Sequence, residues 1–195
     1  MRLVKLLGET DFSGWSIQQE VAQVENPERP SIIYSSPKGD ILVTMSEGSK
    51  YVVIWSISRE EIKAVDKLKL CDEGVSVEDI YCSTKSDLFA FIRSDGSVGI
   101  ANFRTREIVA TVSGRQKIDR HSIVRLNSDD TRLAVVLGRK LLVYSLSQDS
   151  SVTATCMFEH EIEEEKGFVA AQFSPHDPNV LAACSEDKVY LWDLQ

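Results

Sequence analysis

The chain has 195 residues, of which 43% are hydrophobic, and a formal net charge of −8. This length and apolar content suffice for a folded core, and the acidic balance argues against a strongly basic nucleic-acid surface. No stretch reaches the roughly twenty apolar residues of a membrane span, and the N-terminus lacks the apolar run of a signal peptide. We therefore expect a soluble protein of the cytoplasm or nucleus, with no membrane partner and no direct nucleic-acid ligand.

Residues 1–30 form an N-terminal segment that differs from the rest. One interpretation is two loose strands, at 3–7 and 17–24, which end at the prolines of Asn26-Pro-Glu-Arg-Pro30. The other is a partial repeat, because Trp15-Ser-Ile matches Trp55-Ser-Ile forty residues later. Both interpretations stay open.

Two landmarks recur between residues 31 and 195. The first is a short apolar strand whose second position holds an aromatic or small residue, at 55, 101, 144 and 192, with steps of 46, 43 and 48 residues. The second is an apolar residue before a polar turn, at Tyr34, Tyr81, Leu126 and Phe173, with steps of 47, 45 and 47. A strand unit repeated at this period cannot bury its own faces and must stack beside its copies.

Each repeat unit is predicted to hold three or four short strands. In the third unit the strands are 122–126, 132–137, 140–146 and 152–158, which are rich in Val, Ile, Leu and Tyr and separated by turn residues. Ser94-Asp-Gly-Ser97 is the clearest hairpin, because an Asp-Gly pair suits a tight turn with positive φ. Residues 59–70 have weak helical periodicity and are predicted as an outer strand. The sequence thus predicts an all-β fold.

These units resemble the WD-repeat β-propeller family over about residues 31–195. Trp192-Asp193 is the signature dipeptide, and Phe173-Ser-Pro-His-Asp-Pro-Asn is similar to the family's inner-strand turn. The resemblance implies a propeller of about four blades. It also implies a hydrogen-bonded set within the last blade, formed by His160, Ser185, Asp187 and Trp192. The first three units depart from Trp-Asp, with Trp55-Ser56, Ala101-Asn102 and Tyr144-Ser145 in its place.

Four units are fewer than the seven blades common in this family, within a general range of about four to eight. We expect a partial ring. An open propeller leaves strand edges and apolar flanks, and these favour association with another chain. A second copy of the chain or a partner protein would then complete it. Alternatively, an N-terminal strand near residues 20–25 closes the last unit.

The sequence holds little that indicates catalysis or a cofactor. Its cysteines at 71, 82, 156 and 184 include no Cys-x-x-Cys pair, so no zinc site is predicted, and Cys82 and Cys184 are expected to be small buried hydrophobes. There is no Gly-x-Ser-x-Gly elbow and no phosphate-binding loop. His176 is expected to be exposed, and His121 to lie at a charged edge.

The resemblance therefore implies a non-enzymatic scaffold that holds proteins together in a larger complex. The alternatives are a substrate-recognition subunit of a ubiquitin ligase and a subunit of an RNA-processing or translation complex. The acidic run 159–166 is either a solvated connector or a loop that attracts a basic partner segment, through Glu163, Glu164 and Glu165. The other candidate contacts are loop residues, because loops carry binding: Lys38, Arg93, Arg115 and Arg139.

Overall fold

A computed structural model of the chain describes residues 3–6, 17–21, 30–46, 48–59, 61–112, 122–147 and 152–195. Within these ranges the chain forms strands and no helix, and every strand pairing is antiparallel. The prediction of an all-β fold is confirmed for this part of the chain. It follows that no described helix is long and apolar enough to cross a membrane.

The strands form a two-stranded sheet and four larger sheets that follow one another along the chain. The two-stranded sheet pairs β1 (Leu3–Leu6) with β2 (Ile17–Val21). Sheet 1 contains β3 (Pro30–Ser35), β4 (Ile41–Ser46), β5 (Tyr51–Ile57) and β6 (Ile62–Lys69). Sheet 2 contains β7 (Val77–Cys82), β8 (Leu88–Arg93), β9 (Val98–Asn102) and β10 (Glu107–Val112). Sheet 3 contains β11 (Ser122–Leu126), β12 (Arg132–Leu137), β13 (Lys140–Ser147) and β14 (Thr153–Glu161). Sheet 4 contains β15 (Ala170–Phe173), β16 (Val180–Cys184) and β17 (Val189–Asp193).

Backbone hydrogen bonds repeat from sheet to sheet and confirm the period read from the sequence. The residue that opens each first turn donates its N–H to the carbonyl of the first residue of the second strand, at Ser36, Ser83, Asn127 and Ser174. A second repeated bond runs from the end of each third strand to the carbonyl of a turn residue, with donors Ile57, Phe103, Leu146 and Leu194. These donors step by 46, 43 and 48 residues, as the first sequence landmark does.

The second landmark needs a correction of one residue in the first two units. Leu126 and Phe173 lie directly before the residues that open their turns, whereas Tyr34 and Tyr81 lie two residues before theirs. Ser35 and Cys82 are the true equivalents. The backbone of the turn, rather than the large aromatic ring near it, defines the repeat position.

Successive sheets pack face to face, with a hydrophobic core between each pair. The second strand of a middle sheet serves two cores at once: Phe89 and Phe91 of β8 face sheet 1, while Ala90 and Ile92 face sheet 3. Strand β12 alternates in the same way between sheets 2 and 4. A strand buried on both faces has a continuous apolar sequence, whereas a strand with one open face alternates. This explains why Leu-Phe-Ala-Phe-Ile in β8 shows no alternation.

Candidate functional site

The outward face of sheet 4 is the surface that breaks the pattern of the other sheets. The third strand of every sheet carries two apolar residues on the face away from the preceding sheet. The strand register shows which of these residues are equivalent. The first of these positions holds Val52, Val98, Leu141 and Val189, and the second holds Ile54, Ile100, Val143 and Leu191. In sheets 1 to 3 these side chains are at most 3% exposed. In sheet 4, Val189 is 79% exposed and Leu191 is 71% exposed.

These two side chains belong to a continuous patch. In the register of sheet 4, Val189 lies opposite Cys184 and Leu191 lies opposite Ala182. On the next strand, Ala170 lies opposite Cys184. We call Ala170, Ala182, Cys184, Val189 and Leu191 the end patch. Its residues occupy the side of sheet 4 that a following sheet would cover.

Sheet 4 also has an open strand edge in the described structure. In sheets 1 to 3 a fourth strand pairs with the third, but in the described residues β17 pairs with β16 alone. An edge strand presents N–H and C=O groups that can pair with another strand. The predicted closure by residues 20–25 is not seen for the described part of that segment, since β2 pairs with β1. Residues 22–25 lie outside the described residues.

Among the four residues of the predicted hydrogen-bonded set, the described structure has one hydrogen bond and one ring contact, which form two separate pairs. Ser185 donates its hydroxyl to Asp187 at 3.1 Å, and the His160 ring contacts the Trp192 ring with centroids 5.5 Å apart. The Ser185 hydroxyl also accepts the Lys188 N–H, so this serine caps the turn between β16 and β17. Within the described residues no hydrogen bond joins the two pairs.

A buried tryptophan hydrogen bond occurs instead in sheet 1, whose repeat unit departs from Trp-Asp. Trp55 donates its indole N–H to the Thr44 hydroxyl at 2.9 Å, and both residues are at most 3% exposed. Leu42 lies opposite Trp55 as Leu181 lies opposite Trp192, so Ala183 is the equivalent of Thr44. Alanine has no acceptor, and for this reason the bond cannot form in sheet 4. In the sequence, the bond is indicated by Thr44, which follows Leu42 by two residues, where Leu42 is the residue that faces Trp55 across the strands.

In sheet 2 the large side chain lies on the second strand and the small one on the third, the reverse of sheet 1. Ala101 stands where Trp55 and Trp192 stand in their sheets, and Phe89 lies opposite it. Phe91 lies opposite Gly99, where an added Cβ would come within 2.1 Å of the Phe91 ring. The aromatic volume has moved from the third strand to the second, which explains why the landmark residue is small here.

The predicted partner contacts lie mainly at one end of the sheets. The turns between second and third strands and the connections between sheets share this end, which we call the connection end. There, Val77 donates its N–H to the Ser49 carbonyl and Phe168 donates to that of Gly138. Arg93, Arg139 and the segment 163–165 lie at this end, whereas Lys38 is exposed in a first turn at the opposite end. Arg115 and His121 lie outside the described residues.

Much of the acidic run is neutralised within the chain. Glu159 and Glu161 of β14 pair with Lys140, and Glu161 also contacts Arg139 at 3.4 Å. Glu164 accepts hydrogen bonds from Lys188 and from the Tyr190 hydroxyl. The pKa of Glu164 is lowered to about 2, chiefly by the hydrogen bond from the Lys188 ammonium. Hydrogen bonds from the backbone of Glu164 itself and from the Tyr190 hydroxyl also lower it. Glu164 therefore attaches the connection to sheet 4, while Glu159 and Glu161 are paired within sheet 3, which favours the interpretation as a connector.

The opposite end holds the sheets together through side chains. The Arg104 guanidinium contacts Asp87 of its own sheet and Asp40 of sheet 1. The Ser83 hydroxyl donates to Asp130 of sheet 3 at 2.8 Å. Asn127 donates its side-chain amide to the Pro178 carbonyl of sheet 4 at 3.1 Å. At the end opposite the connection end, these polar side chains therefore make contacts between neighbouring sheets.

The cysteines and histidines of the described residues form no cluster that could hold a metal ion. Cys82 is buried, as predicted, and burial raises the pKa of its thiol to about 12, so that it stays protonated. Cys184 is only half-buried, because it lies in the end patch. His176 is exposed, as predicted.

No protein-family model matches the chain, and no curated protein matches it. Among solved structures it is similar to "KlHsv2 with loop 6CD replaced by a Gly-Ser linker", with a TM-score of 0.58 and 13% sequence identity. The similarity covers 70% of this chain and 46% of that one, so the chain matches about half the length of that structure. At this identity the likeness concerns the fold alone.

Proposed function

We propose that the chain is part of a WD-repeat-type β-propeller and acts as a non-enzymatic protein-binding module whose end patch binds a partner. The propeller is supported by the order in which the sheets pack. The cores join sheet 1 to sheet 2, sheet 2 to sheet 3 and sheet 3 to sheet 4. Four antiparallel sheets that stack in chain order, each with its third strand at the same repeat position, are the expected arrangement of propeller blades.

The exposure of Val189 and Leu191 carries the proposal for the binding surface. Their equivalents in three sheets are buried against a following sheet, so the chain itself provides the template for what covers them. Burying an aliphatic side chain contributes about 1.5–3 kcal/mol. Covering these two side chains alone would contribute about 3–6 kcal/mol to binding before the cost of association.

The occupant that fits this template is a β-sheet of another protein with an apolar face. A strand of the same partner can pair with the open edge of β17, which would add main-chain hydrogen bonds to the apolar contact. The ion pair of Glu164 with Lys188 lies on the face of sheet 4 that is turned toward sheet 3, where the Tyr190 hydroxyl also contacts Glu164. Apolar complementarity, rather than charge, is therefore expected to dominate the affinity.

The test replaces both exposed side chains with charged ones. In the variant V189K/L191K the fold should persist, because both side chains already face solvent, while binding to the partner should weaken at least a hundredfold. The partner is identified as a protein that co-purifies in stoichiometric amount, and its dissociation constant is then measured by titration calorimetry. V65K is the matched control, since Val65 is also exposed on an edge strand, β6.

The proposal would be wrong if V189K/L191K bound the partner as tightly as V65K does. If the partner is a second copy of the chain, light scattering would detect the dimer. The mass would then rise with concentration above 21.8 kDa for the native chain and stay at that value for V189K/L191K.

A further inference from the structure

A cleft of about 330 Å³ lies at the connection end between sheets 1 and 2. One wall comes from the end of β6 and the connection to β7, with Leu70, Cys71 and Val75. The other wall comes from Arg93 of β8 and Ile108 of β10. The cleft belongs to neither the end patch nor the β17 edge, so its occupant is independent of the function proposed above.

Arg93 is held in a fixed orientation at this cleft. Its Nε donates to the Leu70 carbonyl at 2.8 Å, and its Nη1 donates to the Ser97 hydroxyl at 3.0 Å. The guanidinium carbon lies 4.8 Å from the centre of the Phe91 ring, which adds a cation–π contact. An arginine fixed in this way loses little conformational entropy when it binds a ligand.

Within the described residues, the charge of Arg93 is not paired with a carboxylate. Asp95, on the following turn, accepts hydrogen bonds from the backbone N–H and the hydroxyl of Ser97. Asp72 is paired with Lys69 at 2.9 Å. The second terminal nitrogen of Arg93, Nη2, makes no hydrogen bond to the described part of the chain. The cleft thus offers an oriented cation beside an apolar wall.

We propose that this cleft binds a peptide carboxylate carried next to an apolar side chain. The planar guanidinium matches the geometry of a carboxylate and can donate to both of its oxygens. The apolar neighbour would pack against Val75 and Ile108, of which Ile108 is 39% exposed. Asp72 and Asp95 lie at the same cleft, and their charges favour a monoanionic carboxylate over a phosphate dianion.

The test uses the pentapeptide acetyl-Gly-Leu-Glu-Leu-Gly-amide as the probe and its Gln counterpart as the control. Binding is followed by NMR through the Nε–H resonance of Arg93 and through backbone amides of residues 70–75. The Glu peptide should shift these resonances saturably, and the Gln peptide should bind at least tenfold more weakly. The variant R93K should lose at least tenfold in affinity for the Glu peptide, because an ammonium cannot form the two-pronged contact.

Matched variants keep the proposal open to refutation. R139K changes an arginine at the same end that already contacts Glu161, and it should leave the affinity unchanged. I108S alters the exposed wall without touching Arg93 and should weaken binding a few-fold, even if R93K proves unfolded. The proposal would be overturned if the Glu and Gln peptides bound alike, if neither bound, or if a phosphoserine peptide bound more tightly than the Glu peptide.

Discussion

The buried indole of Trp55 shows how a single hydroxyl determines the interior of sheet 1. Its N–H has left water and depends on Thr44 as its acceptor. A buried donor without an acceptor costs about 1–3 kcal/mol. The equivalent Trp192 has Ala183 at the acceptor position of its sheet, but it is only half-buried, so its N–H does not depend on a protein acceptor.

The variant T44V removes the acceptor while keeping the shape of the side chain. We expect it to lower the free energy of unfolding by about 1–3 kcal/mol, because the Trp55 N–H would remain buried without an acceptor. Urea unfolding followed by tryptophan fluorescence measures this change. T44S keeps the hydroxyl and should cost less than T44V. Equal stability of T44V and the native chain would show that the bond contributes nothing.

The carboxylate of Glu164 predicts a dependence of stability on pH. Its pKa in the folded chain, about 2, is below the usual value of 4.5, so its contribution to stability is present above pH 4.5 and is lost as the pH falls toward 2. In the variant E164Q this contribution is absent. We expect the stability of the native chain to fall more steeply than that of E164Q between pH 4.5 and pH 2, as measured by urea unfolding. Parallel curves in that window would contradict the pairing with Lys188.

Residue roles were harder to predict from the sequence than positions. Ser185 donates to Asp187, but the register assigns the position of Thr44 to Ala183 and leaves Ser185 in the turn. The motif specifies positions along the chain, whereas the hydrogen bond depends on which residues face each other across two strands. Counting from Leu181, which faces Trp192, would have found the position.

At the scale of the strand, composition predicted most boundaries. In sheet 3 the predicted strands 122–126 and 132–137 agree with β11 and β12, and the segment 59–70 contains the strand β6. Turn residues with positive φ, such as Gly96, ended strands where expected. The exposure of Val189 and Leu191 was not predicted, because the segment Val-Tyr-Leu-Trp in β17 is as apolar as the equivalent third strands of the other sheets. Only the packing shows that no sheet of the described residues covers Val189 and Leu191.

The repeat offers one position at which the same substitution should have opposite results. L191K should change the free energy of unfolding by less than about 0.5 kcal/mol, since the side chain is already in water. I100K, at the equivalent position of sheet 2, should cost more than about 4 kcal/mol or prevent folding, because it places an unpaired charge in a core. Thermal and urea unfolding of the two variants measure the difference. A large cost for L191K would mean that the face of sheet 4 is covered.

At the scale of the molecule, the packing order accounts for where the two proposed binding surfaces lie. The end opposite the connection end is occupied by contacts between sheets, through Arg104, Ser83 and Asn127. The connection end holds the cleft at Arg93, and the last sheet presents the end patch. The sequence predicted loop arginines as contacts and apolar flanks as a cause of association. It could not locate either surface, because both depend on how separate sheets come together.

The most direct test of the account is the solvent accessibility of the methyl groups of Val189 and Leu191 in the isolated chain. It can be measured by NMR as the relaxation caused by a soluble paramagnetic agent, at a concentration where light scattering gives a monomer. We expect strong relaxation at Val189 and Leu191 and weak relaxation at their equivalents Ile54 and Ile100. Weak relaxation at all four residues in the monomer would contradict the account, because the chain itself would then cover the surface proposed to bind a partner.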